Sequence, residues 1–192
     1  MQAATVPPPS PIVLVLASGR GERFVASGGQ GSKLQALLAG KPVLEHTLAA
    51  VRASGLPFHV EDAGHPGMGD SIAAGVRATA DAPGWLVLPG DLPLVRPDSL
   101  RAVAQALQGA AVVLPFYQGA RGHPVGFGAQ HRAALMALAG AGGAAAIVRG
   151  GQALQLELPD EGIVTDIDTV EDLARAQRLL QRRRRSEGEE GS

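Results

Sequence analysis

An apolar run of strand length that breaks into a glycine loop near the start of the chain limits the fold more than any other feature. The run is Pro11-Ile12-Val13-Leu14-Val15-Leu16-Ala17, and the loop continues as Ser18-Gly19-Arg20-Gly21-Glu22-Arg23-Phe24. Small residues and glycine let backbone N–H groups approach a phosphate closely. The loop has neither the Gly-Lys-Ser/Thr of a Walker loop nor the third glycine of the dinucleotide fingerprint. It therefore indicates either a nucleotide-binding loop of another type or an ordinary strand-to-helix turn.

Strand and helix patterns alternate along the chain. Strands are predicted at 12–17, 58–60, 85–88, 111–116, 125–127 and 153–158, and helices at 43–54, 71–80, 98–107, 133–138 and 170–182. Asp98 and Thr169 are the predicted N-caps of two of these helices. The alternation predicts a Rossmann-like, three-layer α/β/α fold with a mostly parallel sheet.

The sheet is predicted to be trimmed after the helix at 43–54. Only about a dozen residues separate Gly55 from Gly67, where a strand, a helix and a second strand would be expected in such a fold. The segment Phe58-His59-Val60 supplies one strand at most. The nucleotide side of the sheet is therefore expected to be short.

Carboxylates follow the apolar strands at two places. Asp91 comes directly after the strand at 85–88, so it should meet the glycine loop at the carboxyl edge of the sheet. A carboxylate there is a suitable ligand for Mg²⁺, although a turn aspartate that only bonds backbone N–H groups has the same pattern. Asp166 and Asp168 alternate with Ile167 in an extended segment, so both point to one face.

Five segments together resemble the MobA/MocA-like nucleotidyltransferases, which make the dinucleotide forms of the molybdenum cofactor. They keep the family's order and span residues 12 to 180: the glycine loop, Gly67-Met68-Gly69-Asp70-Ser71-Ile72-Ala73-Ala74-Gly75, Leu86-Val87-Leu88-Pro89-Gly90-Asp91-Leu92-Pro93, Arg121-Gly122-His123-Pro124-Val125, and Thr165-Asp166-Ile167-Asp168-Thr169-Val170-Glu171-Asp172-Leu173. The resemblance implies a nucleotide-diphospho-sugar transferase-like fold. It also implies Mg²⁺-dependent transfer of a nucleotide from CTP or GTP to molybdopterin, with release of pyrophosphate.

The resemblance assigns roles to named residues. Catalytic roles fall to Arg23, Lys33 and Asp91. Nucleotide binding falls to Leu16, Ala17, Ser18, Gly19, Arg20, Gly21, Lys33, Gly67, Ser71 and Gly75. Metal binding falls to Asp91, Asp168 and Asp166, with Asp168 preferred as the second ligand, and acceptor binding falls to Arg121, Gly122, His123 and Pro124. The Gly-His-Pro-Val and Asp-x-Asp-Thr forms resemble the cytidylyltransferase branch, which favours CMP over GMP.

Two departures from the family keep other functions open. The family's lysine follows its arginine closely, whereas here a glycine-rich insertion separates Lys33 from Arg23, so Lys33 is either a phosphate ligand or a surface lysine. Alanine stands at 141 where the family's Gly-Asp-x-Gly segment, expected on the acceptor side, carries an acid. The alternatives are transfer to another phosphorylated acceptor, such as a sugar phosphate, and a non-catalytic carrier of nucleotide or cofactor.

Composition agrees with a single domain. The chain has 192 residues, 45% of them hydrophobic, no cysteine and a formal net charge of −1, which excludes disulfides, thiolate chemistry and a strongly basic nucleic-acid surface. We expect an NTP transferase-like domain at 12–181 between disordered segments at 1–11 and 182–192. No leader or membrane segment is evident, so a cytoplasmic protein without nucleic-acid or membrane partners is predicted. The resemblance adds a molybdoenzyme or its maturation factor as a protein partner.

Overall fold

A seven-stranded sheet forms the centre of the protein. The computed structural model describes residues 9–19, 21–150 and 152–189, with side chains in the last helix described as far as Ser186. The strands of the sheet are β1 (Ile12–Leu16), β4 (Phe58–Glu61), β5 (Gly84–Pro89), β6 (Val112–Tyr117), β7 (Ala120–Arg121), β8 (Val125–Gly128) and β9 (Ala153–Glu157). Two further strands, β2 (Leu37–Leu38) and β3 (Lys41–Pro42), pair with each other as a separate ribbon.

Five strands of the sheet run in the same direction. β1 pairs in parallel with β4 on one side and with β5 on the other, and β9 pairs in parallel with β6. β8 lies between β5 and β6 and is antiparallel to both, while β7 forms a hairpin with β6. The prediction of a mostly parallel sheet is confirmed.

Helices cover both faces of the sheet. They are α1 (Glu22–Ala26), α2 (Val43–Ser54), α3 (Met68–Ala78), α4 (Pro97–Ala106), α5 (Arg132–Met136), α6 (Ala145–Arg149) and α7 (Val170–Glu189). Because side chains alternate along a strand, Val13 and Val15 of β1 pack with α2 and α4, while Leu14 and Leu16 pack with α3 and α5. The three-layer α/β/α fold is therefore as predicted.

A single strand fills the chain between α2 and α3. β4 pairs only with β1 in the sheet order, with Leu16 opposite Glu61, and after a short turn the chain enters α3. The predicted trimming of the sheet is confirmed in this part of the chain. The carboxyl end of β4 consequently lies beside the glycine loop.

The N-cap of α4 differs from the prediction. Arg96 occupies the N-cap position and Pro97 the first turn, so Asp98 lies within the helix, where it pairs with Arg101. The acceptor that a capping side chain would supply comes instead from Asp160, far along the chain, which accepts the Arg96 N–H at 2.9 Å. The prediction that Asp98 caps the helix is wrong, because proline is favoured at the first helical position and sets the start one residue earlier.

The last helix begins as predicted and ends later. Thr169 Oγ1 accepts the Asp172 N–H at 3.2 Å, and Asp172 Oδ2 accepts the Thr169 N–H at 2.9 Å, which is a reciprocal capping arrangement. The helix runs to Glu189, so the predicted end near Arg182 is wrong, and so is disorder for 182–189. Arg183 reaches back to the domain, where it donates to the Leu94 carbonyl at 2.6 Å.

Some predictions fall on residues outside the described part of the chain. These are the first eight residues of the predicted disordered segment, Arg20 in the glycine loop, and residues 190–192. Within the part that is described, no helix combines the length and the apolar character needed to cross a bilayer.

Candidate active site

The glycine loop and Asp91 lie side by side at the carboxyl edge of the sheet. β1 and β5 are parallel neighbours with Leu16 opposite Pro89, and the Gly90 N–H donates to the Leu16 carbonyl at 2.9 Å. A Cβ at position 90 would lie 3.0 Å from that carbonyl oxygen, so glycine permits the close approach. The predicted meeting of the two loops is confirmed.

Lys33 joins two carboxylates from distant parts of the chain. Its Nζ lies 2.6 Å from Oδ2 of Asp91 and 2.6 Å from Oδ1 of Asp168, and the Arg23 guanidinium pairs with the other oxygen of Asp168. The Ile167 N–H donates to the Asp91 carbonyl at 3.0 Å, which fixes the segment that carries Asp168 against the loop after β5. Asp91, Lys33 and Asp168 are called the charged cluster below.

The glycine-rich insertion folds back and brings Lys33 into this cluster. A Cβ on Gly29 would lie 2.2 Å from the ring of the buried Phe24, so the insertion packs tightly over that ring. Gly21 has a φ of 66° and lies beside the backbone of Lys33. The long spacing from Arg23 therefore does not remove Lys33 from the site.

The members of the charged cluster hold one another in the ionised state. Burial would lower the pKa of Lys33, but Asp91 and Asp168 outweigh it and raise that pKa above its ordinary value. Burial would likewise raise the pKa of Asp168, but Lys33 and Arg23 outweigh it and lower that pKa. At neutral pH the cluster therefore contains full charges.

Asp91 has one oxygen with a vacant valence for a ligand. Its Oδ1 is buried and makes no hydrogen bond in the described structure, and an unpaired carboxylate oxygen in the interior is costly. Mg²⁺ needs only one or two protein carboxylates beside water and phosphate oxygens. Asp91 and Asp168 thus fit a divalent cation that binds together with a phosphate group.

Asp166 takes a different place from the other two predicted metal ligands. It makes no ion pair with Lys33 in the described structure, and it lines a neighbouring cavity. Partial burial raises its pKa, and the charges of Asp91 and Asp168 add to this effect. Among the described residues, no three His, Cys, Asp or Glu side chains lie close enough together to hold a metal by themselves.

A cavity of about 360 Å³ opens beside the glycine loop, and it is called the nucleotide-side cavity below. One end is formed by Arg23 and the charged cluster. The other end carries no acidic or lysine or arginine side chain and is formed by His65, Pro66, Gly67, Met68, Ser71 and Ala141. A ligand with an anionic end and an uncharged end fits this distribution of charge.

Most of the predicted nucleotide-binding residues line this cavity. They are Leu16, Ser18, Gly19, Gly21, Lys33, Gly67 and Ser71. Ala17 and Gly75 do not: the Ala17 N–H donates to the Glu61 carbonyl at 2.8 Å, and a Cβ on Gly75 would lie 2.2 Å from a methyl group of Leu14. Both residues support the packing around the cavity, since Gly75 lets α3 lie close against β1.

A loop between α5 and α6 is docked on the start of α3. The Gly69 N–H donates to the Gly140 carbonyl at 2.8 Å, and the Gly140 N–H donates to Asp70 Oδ2 at 2.9 Å. A Cβ on Gly67 would lie 2.3 Å from the Gly140 carbonyl carbon. This contact carries Ala141 to the wall of the nucleotide-side cavity, so the expectation that this stretch lies on the acceptor side is wrong.

A second cavity of about 420 Å³ lies on the other side of the charged cluster, and it is called the acceptor-side cavity below. Arg121, His123 and Asp166 line it together with Arg23, Lys33, Asp91 and Asp168, which also line the nucleotide-side cavity. The charged cluster therefore stands where the two cavities meet. Gly122 and Pro124 are buried beside it, and a Cβ on Gly122 would lie 2.6 Å from the Ile163 carbonyl.

His123 presents an uncharged ring to the acceptor-side cavity. Burial lowers its pKa to about 4, and the nearby Arg121 charge adds to this effect. Its Nδ1 is buried and makes no hydrogen bond in the described structure. At neutral pH the ring is therefore neutral and can bond a polar ligand group.

The sequence patterns missed Glu61 and His65. Burial would raise the pKa of Glu61, but hydrogen bonds from the Ala63 N–H, His65 and His59 outweigh it and lower that pKa. Strand alternation could have placed Glu61 and His59 on the same face of β4. Nothing local in the sequence indicates that His65 returns to the same carboxylate.

Solved structures share this fold at low sequence identity. Rv0371c from Mycobacterium tuberculosis H37Rv superposes with a TM-score of 0.73 at 23% identity, over 87% of this chain and 96% of that chain, and another structure of Rv0371c is a complex with manganese. The molybdopterin-guanine dinucleotide biosynthesis protein A of Archaeoglobus fulgidus superposes with a TM-score of 0.58 at 18% identity, over 88% and 98% of the two chains. The fold is that of the nucleotide-diphospho-sugar transferase class.

Within that class the family is defined by sequence. Residues 49–158 match the family described as the MobA-like NTP transferase domain, and the chain belongs to this family. The bifunctional protein GlmU of Xanthomonas campestris pv. campestris is 30% identical over 125 residues, which make up 53% of this chain and 27% of GlmU. The chain thus spans little more than a quarter of that curated relative.

Proposed function

We propose that the protein is a Mg²⁺-dependent nucleotidyltransferase that transfers a nucleoside monophosphate from an NTP to a phosphorylated acceptor. The observation that carries the proposal is the position of Asp91, with its unpaired Oδ1, in a charged cluster between two cavities. In this proposal the nucleotide-side cavity binds the NTP and the acceptor-side cavity binds the second substrate. Membership of the MobA-like NTP transferase family supports the same type of reaction.

The proposed reaction needs aligned phosphates and neutralised charge more than covalent help from the protein. An oxygen of the acceptor phosphate forms a bond to the α-phosphorus, the bond from that phosphorus to the bridging oxygen breaks, and pyrophosphate leaves with the electron pair. Arg23, whose side chain is 80% exposed, can turn toward the triphosphate and bind two of its oxygens at once. Lys33 supplies a second positive charge at the same point.

Asp91 and Asp168 are the proposed ligands of the divalent cation. A bound Mg²⁺ would supply positive charge to the phosphate oxygens, and the carboxylates keep it at the junction of the cavities. The manganese complex of Rv0371c supports a divalent cation in a protein of this fold. Lys33 and the cation draw on the same two carboxylates, so Lys33 is expected to leave at least one of them when the cation binds.

Molybdopterin is the proposed acceptor, and CTP is favoured over GTP as the donor. The resemblance of the Gly122-His123-Pro124-Val125 and Asp166-x-Asp168-Thr169 segments to the cytidylyltransferase branch supports this choice. The description of the A. fulgidus neighbour as a molybdopterin-guanine dinucleotide biosynthesis protein supports the acceptor. Arg121 and the neutral ring of His123 would bind the phosphate and a polar group of the acceptor, respectively.

A sugar phosphate is the second candidate acceptor. The sequence match to the bifunctional protein GlmU favours it over other phosphorylated compounds. The non-catalytic carrier remains the third candidate, and alanine at 141, in the wall of the nucleotide-side cavity, favours it.

The test is pyrophosphate release by the purified protein with Mg²⁺. CTP, GTP, ATP and UTP are each combined with molybdopterin and, in a parallel series, with a hexosamine 1-phosphate. Release with one nucleotide and molybdopterin is the expected result. Release with the sugar phosphate alone would select the second candidate, and nucleotide binding without release in either series would select the carrier.

Two variants show whether any release comes from the proposed site. Asp91→Asn keeps the shape of the side chain and removes the charge, so release should fall to the background. Asp98→Asn makes the same chemical change at a side chain that is 85% exposed and lies on α4, so release should remain at the wild-type rate. Equal rates in the wild type and in Asp91→Asn would contradict the proposed site.

A further inference from the structure

Glu61 is a buried carboxylate that the proposed reaction does not use. It ends the edge strand β4, and its side chain is 10% exposed. Its backbone carbonyl accepts the Ala17 N–H at 2.8 Å and the Ser18 hydroxyl at 3.1 Å, so Glu61 is attached to the glycine loop. Burial of a carboxylate at this position is costly unless partners satisfy it, and the partners are two histidines.

His59 and His65 meet Glu61 from opposite ends of a short turn. His65 Nε2 lies 3.0 Å from Oε1, and His59 Nε2 lies 3.5 Å from Oε2. The Ala63 N–H also donates to Oε1, at 3.3 Å, so the carboxylate is fixed in position. The turn that returns His65 to Glu61 contains Gly64 with a φ of 73°.

Only one of the two histidines lines the nucleotide-side cavity. His65 belongs to its uncharged end, together with Gly67 and Ser71, whereas His59 does not line the cavity. The charged cluster lies at the opposite end. A nucleotide whose phosphates contact Lys33 therefore directs its base toward His65.

We infer that His65 binds the nucleobase and that Glu61 is the positioning residue that fixes its ring. The inference rests on the proposed function, because it needs a nucleotide in this cavity. When Nε2–H donates to the carboxylate, the neutral ring carries its acceptor at Nδ1. An acceptor there matches the exocyclic amino group of cytosine or another amino-bearing base and opposes the C4 carbonyl of uracil. The site thus selects bases with an amino group.

The experiment measures equilibrium binding of CTP and UTP, with Mg²⁺ and without acceptor, to the wild type and to variants. Inorganic tripolyphosphate is the probe without a base. We expect the wild type to bind CTP about tenfold more tightly than UTP, the size of effect that one directional hydrogen bond gives. His65→Ala should bring the two affinities within about twofold of each other and leave the affinity for tripolyphosphate unchanged.

Matched variants separate recognition of the base from a general loss of structure. His59→Ala removes the other histidine from the same carboxylate, and it should keep the preference for CTP. Glu61→Ala should lose the preference. Glu61→Gln should recover most of it, because an amide oxygen at Oε1 still accepts from His65 and from the Ala63 N–H.

Two results would overturn the inference while leaving the proposed function intact. One is an unchanged ratio of CTP to UTP affinity in His65→Ala, and the other is an equal loss of that ratio in His59→Ala. Failure of the wild type to bind any NTP with Mg²⁺ would overturn the proposed function and the inference together. The wild-type measurement alone therefore distinguishes the two kinds of failure.

Discussion

Asp160 is expected to contribute more to stability than any exposed carboxylate of this protein. It is 2% exposed, and each of its oxygens accepts two hydrogen bonds. Oδ2 accepts from the Arg96 N–H at 2.9 Å and from the Ser99 hydroxyl at 2.7 Å. Oδ1 accepts from the Gly162 N–H at 2.9 Å and from Arg183 Nη2 at 2.8 Å. One side chain therefore connects α4, the turn at 161–164 and α7.

The change Asp160→Ala leaves all four donors without their acceptor. Arg183 is only 16% exposed, and breaking a buried ion pair by removing one partner costs ~3–5 kcal/mol. The other donors are orphaned at ~1 kcal/mol each, which water entering the space of the lost carboxylate partly offsets. We therefore expect the free energy of unfolding to fall by ~4 kcal/mol. In a domain of this size that lowers the Tm by roughly 8–16 °C.

The assay is thermal melting followed by circular dichroism, with a urea titration of the same samples. Asp160→Ala should lower the urea midpoint without changing the slope. Asp98→Ala is the matched control, because Asp98 is 85% exposed and its pairing with Arg101 is a surface ion pair worth about 0–1 kcal/mol. A Tm within about 2 °C of the wild type for Asp160→Ala would refute the reasoning, and so would an equal loss in the control.

Three other substitutions have defined outcomes. Gly75→Ala should destabilise the domain by ~1–3 kcal/mol in urea titrations, because the new methyl group overlaps Leu14; Gly109→Ala, whose Cβ would have only one neighbour at 4.0 Å, should not, and equal losses would contradict this account. Lys33→Met should lower the rate of pyrophosphate release about 10²-fold, since a charge aligned on the reacting phosphates is lost; a rate within a factor of two or so would show that Lys33 is only structural. Glu61 has a folded-state pKa below its ordinary value of 4.5, so its ionised form stabilises the fold above that value and the contribution is lost as the pH falls through the folded pKa. The stability difference between wild type and Glu61→Gln should thus be full at neutral pH and shrink below pH 4.5, and a difference independent of pH would exclude a contribution from the charge.

The elements that the sequence predicted correctly depend on local patterns. The helix at 43–54 matches the observed α2 because apolar residues recur at helical spacing and Gly55 follows with a φ of 73°. Thr169 and Asp172 cap each other within four residues, so the start of α7 could also be predicted. The meeting of the glycine loop with Asp91 followed from the parallel order of β1 and β5, since parallel strands share one carboxyl edge.

The features that the sequence did not predict depend on contacts between distant residues. The acceptor at the start of α4 is Asp160, more than sixty residues away, which no N-cap pattern can indicate. Glycines at 67 and 69 matched a family motif, yet their reason is the docked backbone of Gly140. Arg183 reads as part of a charged tail until Leu94 and Asp160 are seen beside it.

The position of the charged cluster between two cavities has a consequence for the end of the proposed reaction. Each substrate would occupy one cavity, but a dinucleotide product joined through a diphosphate would extend across both and contact the walls of each. Such a product keeps most of the contacts of two ligands while paying the loss of free motion of only one. Departure of the dinucleotide, rather than formation of the phosphorus–oxygen bond, is then expected to limit turnover. A transferase built in this way would hold its finished product long enough to pass it directly to a recipient protein.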